Sequence, residues 1–225
     1  MPATRTIVFD IETGPLPLDQ LTIPPFVASE VKLGNIKNPD LIAEKIQRAE
    51  ETHVSDYIRS AALSAMSGQV LCIGYSIGNE EPQVLCSDTD GEAAMLQQFW
   101  SLINTEDRQP NLLGFNIKRF DLPFLVRRSW KHKVQVPYWL RNGRYWSELI
   151  VDIREVWQLG DSQAQGSLGA ITQFLGLGGK SGDGAKFSEL WQSDRPAAIA
   201  YCLKDVSLTR DVMRFLVPAY LTTDY

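Results

Sequence analysis

The chain has 225 residues, of which 44% are hydrophobic and 22% charged, with a net charge of −5. This is the composition of an ordinary globular protein long enough for one sizeable core, and no run of about 18 apolar residues offers a membrane span. Only two histidines, His53 and His132, are present, so chemistry built on several imidazoles is excluded.

The N-terminus enters a strand pattern almost at once, which leaves no room for a secretory signal. Cys72, Cys86 and Cys202 are far apart, odd in number and without paired spacing. They fit a reducing cytoplasm better than a disulfide framework or a zinc site. The first strand is read over Thr6 to Thr13. After it, Gly14-Pro15 and Pro24-Pro25 mark irregular loop. Asn38-Pro39 is a helix start, and apolar spacing predicts a helix from Asp40 to about Met66, interrupted near His53 and stopped by Gly68. The segment 14–68 therefore reads as a helical insertion after the first strand.

Gln69 to Ile77 is the strongest strand pattern, turned by Gly78 to Pro82 into a short partner, Gln83 to Cys86. Asp90 is expected to cap a helix through Ile103. A short strand at Asn111 to Gly114 precedes a helix from Phe120 to about Trp130, with Pro123 tolerated in its first turn. Leu149 to Ile153 reads as a strand, Leu168 to Leu175 as a helix, and Arg195 to about Val217 as the last helix. Strands followed by alternating strands and helices give one mixed α/β domain over 1–225.

Charge is unevenly distributed. Between Arg108 and Arg154 the balance is +7, against −12 for the remainder. That stretch also carries Phe115, Phe120, Phe124, Trp130, Tyr138, Trp139, Tyr145 and Trp146. Positive charge interleaved with aromatic faces suits a single-stranded nucleic acid, which offers phosphates and stackable bases; a solvated basic face reads equally well.

Three short stretches carry acids in suggestive places. In Phe9-Asp10-Ile11-Glu12-Thr13 the strand alternation puts both carboxylates on one face, about 7 Å apart along the chain, with Ile7, Phe9 and Ile11 on the other. A divalent cation between them, or plain exposure to water at a strand end, would each account for the pair. In Asn116 to Pro123, Asp121 stands where a helix begins, a position also suited to capping. In Tyr201-Cys202-Leu203-Lys204-Asp205 the phenol and carboxylate, four residues apart on a helix, share a face.

Taken together and in this order, the three stretches resemble the exonuclease motifs of the DEDD superfamily of 3′–5′ exonucleases, in its tyrosine-containing branch. They are most similar to those of the proofreading domain of family-B DNA polymerases. The histidine branch would carry its histidine one residue earlier, where this chain has Ala200. The resemblance implies a ribonuclease H-like mixed sheet with the first strand central. It also implies two divalent cations, Mg²⁺ or Mn²⁺, held by Asp10, Glu12, Asp121 and Asp205, with Asp10 shared between both. Tyr201 would orient the attacking water, and Thr13, Asn116 and Phe120 would contact the terminal nucleotide. The implied activity is hydrolysis at the 3′ end of single-stranded nucleic acid, DNA before RNA, by a cytoplasmic enzyme. An RNA-trimming exonuclease and a non-catalytic nucleic-acid-binding module on the same fold are the rivals. Lys180, Lys186 and Asp152 are weaker candidates for the site, while His53 and His132 read as surface residues and Cys202 as packing.

Overall fold

The computed structural model describes residues 5–104, 109–161, 163–164, 166–179 and 184–216. In chain order the strands are β1 (Thr6–Pro15), β2 (Gly68–Ile77), β3 (Gln83–Cys86), β4 (Asn111–Gly114), β5 (Arg141–Asn142), β6 (Tyr145–Trp146) and β7 (Ile150–Asp152). The helices are α1 (Pro39–Ala61), α2 (Ser87–Asp90), α3 (Glu92–Ile103), α4 (Asp121–Lys131), α5 (Ile153–Gln158), α6 (Leu168–Phe174), α7 (Phe187–Ser193) and α8 (Arg195–Leu216).

The main sheet has the order β3-β2-β1-β4-β7, so β1 is central. It runs antiparallel to β2 and parallel to β4, which is in turn parallel to β7. Centrality follows from composition: Thr6 to Phe9 are β-branched or aromatic, and Ile7, Val8 and Phe9 are fully buried. The alternation of β1 separates two cores. Ile7, Phe9 and Ile11 pack with residues of α3 and α4, including Phe99 and Leu122. Val8 lies on the other face with Val206 and Val212 of α8. Asp10 and Glu12 follow Val8 in the period of two, so the fold aims both carboxylates at α8.

Two glycines let the layers close. Gly74 lies opposite Asp10 in the β1–β2 register, and a Cβ there would come within 2.8 Å of Cys202 Sγ and Val206 Cγ2. Its lack of a side chain is what allows α8 to approach β1 and β2. At Gly114 a Cβ would lie 2.7 Å from the Phe9 carbonyl oxygen and 2.2 Å from Ile117 Cγ2, so the exit of β4 demands glycine. Between the partners of Glu12 and Thr13 the register slips by one residue, a bulge that leaves Leu71 without an opposite number. Bulges of this kind turn a strand end beside a site.

Several elements depart from the sequence reading. Helix α1 runs unbroken past His53 and stops at Ala61, short of Met66. Its start is as expected, with the Asn38 side chain accepting the Asp40 N–H. Gly68 does not stop the helix from a left-handed cap; it opens β2 pressed against the carbonyl oxygens of Ala61 and Ser64, where a Cβ would sit at 2.7 and 2.9 Å. Asp90 does not cap α3. It ends the short α2, and Gly91 at φ 88° stands at the cap position. Helices α2, α5 and α7 and the β5–β6 hairpin were too short for periodicity to register.

His132 is not a plain surface residue. Its Nε2 lies 2.8 Å from Glu92 Oε2, and Arg128 donates to both Glu92 oxygens from Nε (2.9 Å) and Nη2 (2.6 Å). Glu92 also accepts the Val70 N–H, tying α3 and α4 to β2. Burial pushes the Glu92 carboxyl up, but the Arg128 bonds, the Val70 N–H, the Arg128 charge and His132 more than offset this and leave it below its ordinary value. His53, as expected, lies toward the surface, where its ring holds the Pro24 carbonyl at 2.7 Å. With the Tyr57 hydroxyl on the Thr22 carbonyl, it fastens the leading loop to α1.

Candidate active site

The site lies where the parallel strands end. Asp10 and Glu12 come from the far half of β1, Asn116 follows β4, Asp152 ends β7, and α8 crosses with Tyr201 and Asp205. The carboxyl ends of parallel strands are the usual place for a site in α/β sheets. A cavity of about 220 Å³ is lined there by Asp10, Glu12, Asn116, Phe120, Asp121, Arg154, Tyr201 and Asp205.

One carboxylate oxygen each from Asp10, Glu12 and Asp205 lie within 4.8 Å of one another. Two of the three come from one strand and the third from a helix almost 200 residues later in the chain, so only folding creates the group. Asp121 is the first residue of α4, yet its carboxylate does not cap that helix; Oδ1 accepts the Ile11 N–H across the site at 3.0 Å. Burial, and then the charge of Asp10, push the Asp121 carboxyl well above its ordinary value, while the Ile11 N–H pulls the other way. Four acids so placed fit cations: their donors are hard oxygens, and their mutual repulsion in the bare protein is what a divalent ion would relieve.

A pH dependence follows. A carboxyl with a raised pKa in the fold binds its proton more tightly there than in the unfolded chain. The stability it contributes is complete below the ordinary value, about 4, and is lost as pH rises through the folded value. In chelator, the melting temperature is therefore expected to fall as pH rises above the ordinary carboxyl value, about 4, and Asp121→Asn to flatten that fall. Differential scanning fluorimetry measures it; an equal slope in the variant would assign the effect elsewhere.

The remaining motif residues divide. Tyr201 is buried with its ring 5.8 Å from Phe187 of α7, and a Cβ on Gly184 would sit 3.5 Å from its hydroxyl. Phe120 is half-buried, packs on Phe124 at 5.6 Å and lines the cavity, so it is a core anchor and a cavity wall at once. The Thr13 hydroxyl donates to the Ala62 carbonyl at 2.7 Å, fastening β1 to the end of α1. Asn116 takes the left-handed conformation, φ 63°, and its Oδ1 accepts from Arg154. Asp152 is a loop organiser, receiving the N–H groups of Asn116, Lys118 and Arg154. Burial raises its carboxyl, against the pull of those donors. Cys202 packs as expected, fully buried between Gly74 and the Tyr201 cluster. Lys180 lies outside the described residues, and Lys186 is exposed.

Sequence reasoning missed two features. The segment 14–68 helps to build a groove: Ile58 and Arg59 of α1, with Leu63 just after it, face Ser188, Glu189 and Gln192 of α7 across a space of about 710 Å³. That groove shares Ile11, Glu12, Phe120 and Gly184 with the acidic cavity. Arg154, the second miss, is taken up below. The basic, aromatic stretch also splits on folding. Arg128, Phe124 and Trp139 enter the core, whereas Trp130, Tyr138 and Tyr145 stay exposed, with Arg141 and Arg144 stacked over Trp146 and Tyr145.

Residues 55–216 match the family described as a predicted 3′–5′ exonuclease related to the exonuclease domain of PolB. The chain belongs to this family. The match starts within α1, beyond Asp10 and Glu12, so the first acidic pair rests on the fold rather than on the family match. No curated protein sequence matches the chain. Among solved structures, the family B DNA polymerase from the hyperthermophilic archaeon Pyrobaculum calidifontis is similar, with a TM-score of 0.65 at 17% identity. The likeness covers 96% of this chain and 25% of that polymerase, so the chain spans about a quarter of its length. It establishes the fold: a ribonuclease H-like mixed sheet flanked by helices, as the resemblance implied. Among the described residues no helix is long and apolar enough to cross a membrane.

Proposed function

We propose that this exonuclease-family chain is a metal-dependent enzyme that removes nucleotides from the 3′ end of single-stranded nucleic acid, DNA in preference to RNA. The observation that carries the reading is the convergence of Asp10, Glu12 and Asp205 within 4.8 Å, in one cavity with Asp121 and Tyr201. Asp10, Glu12, Asp121 and Asp205 would hold two divalent ions, Mg²⁺ or Mn²⁺, with Asp10 common to both. Such ions, when bound, supply positive charge at the reacting phosphate and lower the pKa of a bound water.

The chain's own groups do the positioning. Tyr201, braced by Phe187, directs its hydroxyl at the phosphate and the attacking water, as a positioning group and not as the base. The groove between α1 and α7 receives the terminal nucleotides, with Phe120 offering a ring face to a base. Water adds to phosphorus, the 3′ oxygen of the shortened strand leaves with a proton, and a nucleoside 5′-monophosphate is released.

The direct test incubates the protein with 3′-labelled DNA and matched RNA oligonucleotides plus Mg²⁺ or Mn²⁺. Release of labelled mononucleotide is expected, faster from DNA. Release from RNA alone would make the enzyme an RNA trimmer, and no release from either would leave a binding module. Tyr201→Phe is expected to lower kcat by about 10²- to 10³-fold, the range of one lost hydrogen-bond donor at the reacting centre. Its metal-induced rise in melting temperature should stay unchanged. Full activity in that variant would remove the phenol from the chemistry.

A further inference from the structure

We propose that Arg154, which lies in none of the three acidic motifs, grips a substrate phosphate in this site; the proposal rests on the exonuclease reading above. Arg154 stands in the first turn of α5, two residues after Asp152. The Asp152 carboxylate, 2% exposed, accepts the Arg154 and Asn116 N–H groups on Oδ1 and the Lys118 N–H on Oδ2. One buried carboxylate thus locks the start of α5 to the loop leaving β4. From that base the Arg154 side chain reaches Asn116, donating from Nη1 to Oδ1 at 3.2 Å. Asn116 is itself held at φ 63°, with its carbonyl accepting the N–H groups of Arg119 and Phe120.

The consequence is a preset guanidinium at the rim of an acidic cavity. Among the described residues lining that cavity, Arg154 is the one with a positive charge. Lys118, on the loop leaving β4, is paired with Glu155 at 2.8 Å. The bond to Asn116 goes to a neutral amide oxygen, so it sets direction without cancelling charge. A planar guanidinium fork matches the two non-bridging oxygens of a phosphodiester, which a lysine ammonium cannot do. A nucleic-acid strand entering a site of four acids meets repulsion, and a fixed cation at its edge offsets part of this for the strand itself. It also gives Asn116 a different task from the one motif reading suggests: its oxygen aims Arg154.

The test separates charge from scaffolding. Binding of a 5′-fluorescein oligo(dT) is followed by anisotropy in an Asp10→Ala background at several salt concentrations. Arg154→Gln, which can still bond to Asn116, is expected to weaken binding about tenfold. It should also lower the slope of log affinity against log salt by about 0.7, the value of one phosphate contact on a single strand. Arg154→Lys should restore the slope but only part of the affinity. Arg154→Met, which keeps the apolar stem, should match Arg154→Gln, and melting temperatures establish that each variant is folded. An unchanged slope in Arg154→Gln overturns the proposal. If the protein with all its acids intact releases no nucleotide from DNA or RNA, the exonuclease reading falls instead, so the two failures are distinct.

Discussion

Asp10→Ala is expected to slow 3′-end hydrolysis by about 10³-fold or more, roughly 4 kcal/mol of lost transition-state stabilisation. The size follows from where Asp10 sits. Its carboxylate approaches those of Glu12 and Asp205 within 4.8 Å, and its charge also bears on Asp121. It is the acid that joins the β1–α8 group to the α4 side of the cavity. The same position makes a second, opposite expectation for the bare protein. Removing a like charge from an acidic cluster relieves repulsion, so Asp10→Asn should melt a few degrees higher than the parent in chelator, at about 2–4 °C per kcal/mol for a chain of this size. Loss of activity together with gain of metal-free stability is hard to produce by misfolding. Steady-state kcat/KM and thermal melting in chelator check both halves, and a variant that digests DNA at the parental rate would displace Asp10 from the centre.

Glu92→Ala should cost the fold about 3–5 kcal/mol, the usual penalty for stripping one partner from a buried ion pair. Glu92 and Arg128 have side chains 7% and 4% exposed, and the loss would leave the Arg128 guanidinium buried without a counter-charge, held on the main chain by the Ala65 carbonyl. It would also free the Val70 N–H and release His132. Since neither residue lines the acidic cavity or the α1–α7 groove, kcat measured well below the melting range should be unchanged. The double variant Glu92→Leu, Arg128→Met, which removes both charges, should recover most of the loss. Urea unfolding midpoints measure each. The sign with pH is opposite to that of Asp121: a lowered carboxyl contributes its stability above the ordinary value, near 4.3, and loses it as pH falls through the folded value.

How far the site could be read in advance depended on how local its causes are. Asp10 and Glu12 share a face because a strand alternates, and Tyr201 and Asp205 share one because a helix brings i and i+4 together. Asn38 before Pro39 starts α1 because a side-chain oxygen and a fixed φ act within one turn. Failures came where a distant group decided. Asp90 has capping chemistry, yet Gly91 at φ 88° takes the turn into α3. His132 looks like a surface residue until α3 brings Glu92 beneath it. The segment 14–68 reads as a helical insertion, and only the placing of α7 makes its Ile58 and Leu63 one wall of a groove.

By itself, then, the sequence determined which residues could act: four acids and a tyrosine set on periodic elements, in an order that points to one family of phosphodiester chemistry. Local periodicity specifies direction within an element but carries no information about what lies opposite. Only the tertiary structure decided that Gly74 lets α8 approach β1, that Asp121 reaches the Ile11 N–H rather than capping its helix, and that Asp152 and Asn116 aim Arg154 into the acidic cavity. Each of these contacts joins residues far apart in the chain, and close packing, not propensity, brings them together.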